Sequence, residues 1–252
     1  MAWSLVTPAS RGIGFHLTRH LLSTTQIPVL ATARKDLASV EAALVAGLSA
    51  AAAARLTLVQ VDLTDEGSIA AAAATARTRF AKTRLRRAFC LPGQLWAERA
   101  PRQLDAAQLH ATFALNTIAP LLLIKHFSAF LPATAVAATP AVWLNMSARV
   151  GSTTDNRLGG WYSYRASKAA VNSVTKTFDL HLQARCGPHA MAMSYHPGTV
   201  KTDLSKNYWD TLPPEKLFSP EFAVGKMTEV VDNLDVDGRG KCYDWRGEVI
   251  PP

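Results

Sequence analysis

Short apolar runs punctuate the chain: SLVT (4–7), PVLATA (28–33), LTLVQV (56–61), RAFCL (87–91), AVWLNMS (141–147) and AMAMSYH (190–196). They predict strands. Longer stretches of helical pattern lie between them, over 12–24, 36–50, 66–81, 103–130 and 164–185, and each is long enough for a right-handed crossover between parallel neighbours. That rhythm predicts an α/β fold with a doubly wound parallel sheet. The alanine-rich pieces AALVAGLSAAAAA and SIAAAAATA favour helix by propensity and can pack close to a sheet. No repeat and no Pro-, Gly- or Ser-rich linker divides the sequence, so a single domain over residues 1–252 is expected. The segment SKNYWDTLPPEKLFSPEF (205–222) reads as an irregular insertion carrying aromatics, either a cover over a pocket or an ordinary surface excursion.

Composition narrows the class. Of 252 residues 48% are hydrophobic and 18% charged, which fits a globular domain able to bury a sizeable core. No apolar run approaches the roughly 18 residues that span a bilayer, so no membrane partner is expected. The termini carry no targeting or lipidation signal, and a cytoplasmic location follows as the expectation. Cys90, Cys186 and Cys242 are far apart and odd in number, which predicts reduced thiols. The seven histidines show no ligand spacing, and no metal is expected. The net charge of +8 is scattered apart from RTRFAKTRLRR (77–87), read as a solvated helix face. Nucleic acid is therefore not an expected partner, and an anionic cofactor would account for part of the basic bias.

Candidate chemistry begins at LVTPASRGIG (5–14), a strand running through a tight turn into a helix. The first N–H groups of a helix have no intrahelical partner and carry the positive end of its dipole, so such a turn receives phosphate. Gly12 and Gly14 allow close approach, whereas Pro8, where a glycine is usual, has no N–H to give. Arg34 and Lys35 follow the second strand, at the position where arginine suits the 2′-phosphate of NADP and an acid suits the free ribose of NAD. Arg11 can join them. A preference for NADP(H) over NAD(H) is expected, although Asp36 is close by. Further on, Tyr164 and Lys168 stand at i and i+4 and share a helix face. An ammonium near a phenol stabilises phenolate and lowers its pKa from about 10 toward the range of a working general acid.

From TPASRGIG through Asp62 in QVDLTD, Asn116 in FALNTIAP, NMSARVGS, YRASK and HPGTVKT, the chain resembles the short-chain dehydrogenase/reductases. The run VGSTTDNRLGGWYSYRASKAA is similar in particular to their C-factor-like branch. The resemblance implies a Rossmann-type sheet and hydride exchange between a nicotinamide cofactor and a small carbonyl or alcohol. It implies Tyr164 as proton donor, Lys168 as its partner and ribose anchor, and Asn116 behind the lysine. Cofactor contacts would come from Ser10, Arg11, Gly12, Ile13, Gly14, Arg34, Asp62, Leu63, Asn116, Tyr164 and Lys168. Pro197, Gly198, Thr199, Val200 and Thr202 would add the nicotinamide side.

The pattern breaks in three places: Pro8, the segment Cys90-Leu91-Pro92-Gly93 in place of Asn-Asn-Ala-Gly, and Ala148 where a substrate-orienting serine belongs. Ser147 is taken as the replacement donor, with Ser152 as the other candidate. Trp161, Tyr162 and Trp209 are candidates to line a pocket, and His196 reads as structural. A homodimer or homotetramer is left open. The rival reading is a non-redox catalyst or a binding and regulatory module that keeps the fold with an altered cofactor loop.

Overall fold

A computed structural model describes residues 2–134 and 139–252. The chain opens with β1 (Ala2–Thr7), α1 (Gly12–Thr24), β2 (Val29–Ala33), α2 (Leu37–Val45), the single turn α3 (Ala50–Ala53) and β3 (Leu56–Gln60). It continues through α4 (Glu66–Arg79), β4 (Arg84–Cys90), α5 (Ala106–Phe113), a π-helical turn (Ala114–Ile118), α6 (Ala119–Phe127) and β5 (Ala141–Met146). Then follow α7 (Tyr162–Cys186), β6 (Ala190–His196), β7 (Thr199–Val200), β8 (Leu217–Phe218), α8 (Pro220–Asn233), β9 (Cys242–Asp244) and β10 (Val249–Ile250). Eight strands form one sheet in the order β10-β9-β6-β5-β4-β1-β2-β3, parallel except for β10, while β7 and β8 make a separate pair.

Strand parity builds the two faces, because successive side chains point to opposite sides. Trp3, Leu5, Ala88, Trp143 and Ala192 face α4, α6 and α7, where Ile69, Ala76, Phe127 and Leu182 meet them. Val6, Ala31, Phe89, Leu144 and Met193 face the other way, against Leu17 and Leu21 of α1 and Val224 and Met227 of α8. The chain runs outward from β1 to β3, then crosses back to β4 and onward. The carboxyl ends of β1 and β4 thus flank a topological switch point, where open α/β sheets form their ligand crevice.

Several expectations change. The alanine-rich stretch 36–50 is not one helix: α2 ends at Val45, Gly47 takes a φ of +74°, and α3 starts afresh. The basic run 77–87 is not one solvated helix face. Its first residues close α4 and its last enter β4, where Arg87 pairs with Asp232 and Arg86 donates to the carbonyls of Thr139 and Pro140. The stretch 205–222 consists of 3-10 turns, then β8 and the start of α8. The helical stretch Ala106–Phe130 is long and apolar enough to cross a membrane by length and composition, contrary to the expectation from apolar runs. Here it lies on the sheet, with Asn116 and Thr117 buried and with Lys125 and His126 on Glu66.

Candidate active site

At the end of β1, Thr7 and Thr32 share a hydroxyl hydrogen bond of 2.7 Å, and the Ala9 N–H donates to the Thr32 carbonyl at 2.7 Å. The Thr7–Pro8 peptide is cis. Gly12 takes a φ of +56°, and a Cβ on Gly14 would sit 1.9 Å from the Pro8 carbonyl oxygen, so neither position accepts a side chain without movement. Among the described residues no side chain caps α1, and its first turn holds no acid. Unpaired N–H groups and the positive dipole end are therefore available to an anion. Pro8 has lost its own N–H, yet its carbonyl is the surface on which Gly14 brings the helix start close. This cradle fits a dinucleotide diphosphate.

Arg34 and Lys35 are exposed at the end of β2, and Asp36 after them adopts a φ of +53°. Asp62, at the end of β3, accepts from the Thr64 hydroxyl at 2.7 Å and the Thr64 N–H at 2.9 Å. These bonds hold its carboxyl below the ordinary carboxylate value, with smaller contributions from the charges of Arg34 and Lys35. Leu63 is buried beside it. Arg11 reaches across to Asp203 at 3.6 Å, an exposed pair joining the glycine loop to the opposite lip. Thr202 lies on that lip, its methyl 3.4 Å from where a Cβ on Gly12 would stand. Gly198 has a φ of +74° and packs on Phe218, which turns the chain from β6 into β7.

Asn116 sits in the π-helical turn, an irregularity that often marks functional positions. Its Oδ1 accepts from the Gln94 N–H at 2.8 Å, and its Nδ2 donates to the Gln94 carbonyl at 2.9 Å and the Ser167 hydroxyl at 3.0 Å. Ser167 in turn donates to the Tyr164 carbonyl at 2.8 Å. Lys168 is 1% exposed and donates to the Met146 carbonyl at 2.7 Å and the Pro92 carbonyl at 3.3 Å. Its Nζ stands 5.7 Å from the Tyr164 ring centre. Burial lowers the Lys168 pKa to about 7 and pushes the Tyr164 phenol above its ordinary value. The expected lowering of the phenol by the lysine is thus not seen, because the ammonium is held by two carbonyls and the phenol is desolvated. A Cβ on Gly151 would lie 2.8 Å from the Lys168 carbonyl carbon, so the loop after β5 packs directly on the helix at this point.

Ser147, expected as the donor to substrate, is hydrogen-bonded within the fold. Its hydroxyl donates to Asn172 Oδ1 at 2.7 Å and approaches the Lys168 carbonyl at 3.4 Å, tying β5 to α7. Strand alternation sends its side chain to the opposite face from that of Ala148. Ser152 is also engaged, donating to the Pro252 carbonyl and accepting from the Asp155 N–H. Trp161 lies 6.3 Å from Tyr164, edge-on, and 5.3 Å from Tyr208; Tyr162 is exposed, and Trp209 turns to Ser205 and Lys201. His196 is held neutral, its pKa lowered to about 4 first by burial and then by Arg149. Tyr208 and Gln94 were not legible as site residues, since nothing in the local pattern marks either.

A family model described as short chain dehydrogenase matches residues 2–213. The chain belongs to the short-chain dehydrogenase family. It is 31% identical over 251 residues to the 1-hydroxy-2-glutathionyl-2-methyl-3-butene dehydrogenase of Rhodococcus sp. (strain AD45), covering 99% of each chain. The C-signal protein of Myxococcus xanthus is 31% identical over 157 residues, 62% of this chain and 85% of that one. Among solved structures, the NADPH-bound carbonyl reductase from chicken fatty liver superposes with a TM-score of 0.82 at 28% identity, covering 99% of this chain and 98% of that one. As a short-chain dehydrogenase, the chain is an oxidoreductase of the NAD(P)-dependent kind.

Proposed function

We propose that this short-chain dehydrogenase is an NADPH-preferring reductase of a small carbonyl compound, with Tyr164 as the acid. The observation that carries the reading is the buried Tyr164–Lys168 pair, braced through Ser167 by Asn116, beside an uncapped glycine-rich helix start. When bound, the nicotinamide supplies the hydride that reduces the carbonyl carbon. The α1 N-terminus would hold the diphosphate, Asp62 and Leu63 the adenine side, Arg34 and Lys35 the 2′-phosphate, and Lys168 the nicotinamide ribose. The strands' carboxyl ends leave Tyr164 to give its proton to the carbonyl oxygen as charge develops there. Desolvation keeps that phenol protonated at neutral pH, which suits donation and hence the reductive direction. Ala148 offers the oxygen no hydrogen bond, and a missing donor of this kind costs about 10²–10³ in rate.

The reading also takes the enzyme to be cytoplasmic, in keeping with three buried free thiols, and self-associating through exposed Ile118, Leu121 and Leu180. Its test is direct. Purified protein should show saturable, stoichiometric NADPH binding and should oxidise NADPH with at least one member of a panel of aldehydes, ketones and quinones. Tyr164→Phe should lower that turnover by about 10²–10⁴-fold, the usual contribution of a positioned general acid, while leaving NADPH affinity in place. Absence of NADPH binding, or a Phe variant as active as the parent, overturns the proposal.

A further inference from the structure

We propose that Glu98 is the positioning residue of this site: from a separate loop, its carboxylate caps the N-terminus of α7 and so fixes where Tyr164 stands. The inference rests on the reading of Tyr164 as the acid and goes beyond it. Helix α7 runs for 25 residues, yet it begins without a cap of its own. The residue before it, Trp161, has no acceptor side chain and is held at a φ of +50°, after Gly159 at +63° and Gly160 at +65°. The two glycines take positive φ freely, but Trp161 needs an external hold, since a bulky residue disfavours the left-handed conformation.

Glu98 supplies the hold at three points. Its carbonyl accepts from the Trp161 N–H at 2.6 Å, its Oε2 accepts from the Ser163 N–H at 3.3 Å, and the Ser163 hydroxyl donates to Oε1. Glu98 is 3% exposed, which is rare for a glutamate and requires such partners. A carboxylate at a helix N-terminus satisfies orphan N–H groups and complements the dipole. Tyr164 is the next residue.

The same loop reaches the other members of the site. The Pro92 carbonyl accepts from Lys168, and both backbone groups of Gln94 pair with Asn116. Residues 92–98 thus touch Lys168, Asn116 and the turn that carries Tyr164. Trp161, fixed by the Glu98 carbonyl, also forms the edge on which Tyr208 rests.

The test compares Glu98→Ala, which removes both side-chain acceptors, with Glu98→Gln, which keeps an acceptor for the Ser163 N–H and an amide for its hydroxyl. In cofactor-free protein, amide hydrogen exchange over residues 161–165 should quicken in the Ala variant and stay near parental in the Gln variant. With NADPH and the panel carbonyl reduced fastest, the Ala variant should lose about 30–100-fold in kcat, as displacement of a reacting group by about 1 Å does. NADPH affinity should stay within about twofold, and the Gln variant should keep kcat within about threefold. An Ala variant with parental exchange and kcat overturns the proposal, as does a Gln variant as damaged as the Ala one. So does a fall in NADPH affinity in step with kcat. If Glu98→Ala does not fold, Ser163→Ala removes only the hydroxyl bond and should still cost several-fold in kcat; an unchanged kcat there overturns the proposal. Inertness of the parent, or full activity of Tyr164→Phe, would instead defeat the reading of the site's function.

Discussion

Lys168 has the clearest consequence at the scale of a single residue. Its ammonium is desolvated and its pKa lies near 7, lowered by burial. With Tyr164 as the acid, as proposed, the cation present below that value would stabilise negative charge on the phenol oxygen as the proton leaves; above it, the cation is lost. Because kcat/KM reports ionisations of the unliganded enzyme, it should fall as pH rises through about 7. Lys168→Arg keeps a charge that does not titrate in this range, so its basic limb should move up by at least about one pH unit, at a lower plateau. Measured pH–rate profiles of both proteins check this, and an unmoved limb would rule out Lys168 as the titrating group. The i, i+4 relation of Tyr164 and Lys168 was legible because helix geometry alone places them together. The acceptors of Lys168 were not, since the Met146 and Pro92 carbonyls come from two other strand ends. The partner of Ser147 was hidden for the same reason: Asn172 is distant in sequence, and only the packed helix shows the hydroxyl engaged with it.

At the scale of elements, α7 is the rod on which the site is mounted, and it is fixed at both ends. Glu98 holds its start. Toward its far end Asp179, 1% exposed, accepts from Arg239 Nε at 2.9 Å and from the Ala192 N–H of β6 at 2.9 Å. Removing one partner of a buried pair leaves the other charge uncompensated, so Asp179→Ala should lower the unfolding free energy by about 3–5 kcal/mol. Denaturant titration measures it; a loss below about 1 kcal/mol, the worth of a surface pair, would show that the contact is solvent-screened. The crossovers were readable from apolar spacing because the strands β1, β2, β5 and β6 are buried on both faces. Strands β9 and β10 were not, since they span three and two residues and leave no period to detect. The break between α2 and α3 escaped for a related reason: helix propensity summed over alanines outweighed one glycine on paper, whereas Gly47 ends the run in the fold.

At the scale of the whole molecule, the reversal between β1 and β4 gathers residues from across the sequence at one edge of the sheet. Motif order made that gathering legible: the glycines after β1, Asp62 after β3, Asn116 and the Tyr/Lys helix fall where a doubly wound sheet needs them. On the proposed reading, cofactor choice would be made at the same edge, because Arg34 and Lys35 leave β2 beside Asp62, while Arg11 is drawn to Asp203 on the far lip. A ligand that binds the folded state alone raises its stability by RT ln(1 + [L]/Kd), about 2.7 kcal/mol at a hundredfold excess over Kd. NADPH should therefore raise Tm more than NADH at equal concentration. A hydrogen bond to a charged group contributes about 1.5–3 kcal/mol, so Arg34→Ala should weaken NADPH roughly 10–100-fold and bring its Tm shift close to that of NADH. The NADH shift should not change, because that cofactor has no 2′-phosphate to lose. Arg11→Ala, which frees Asp203, should reduce NADPH affinity less than Arg34→Ala does. Thermal melts of the three proteins with each cofactor decide the point: equal shifts for NADPH and NADH in the parent would remove the NADP preference, and a larger loss in Arg11→Ala would move the 2′-phosphate contact to the glycine loop.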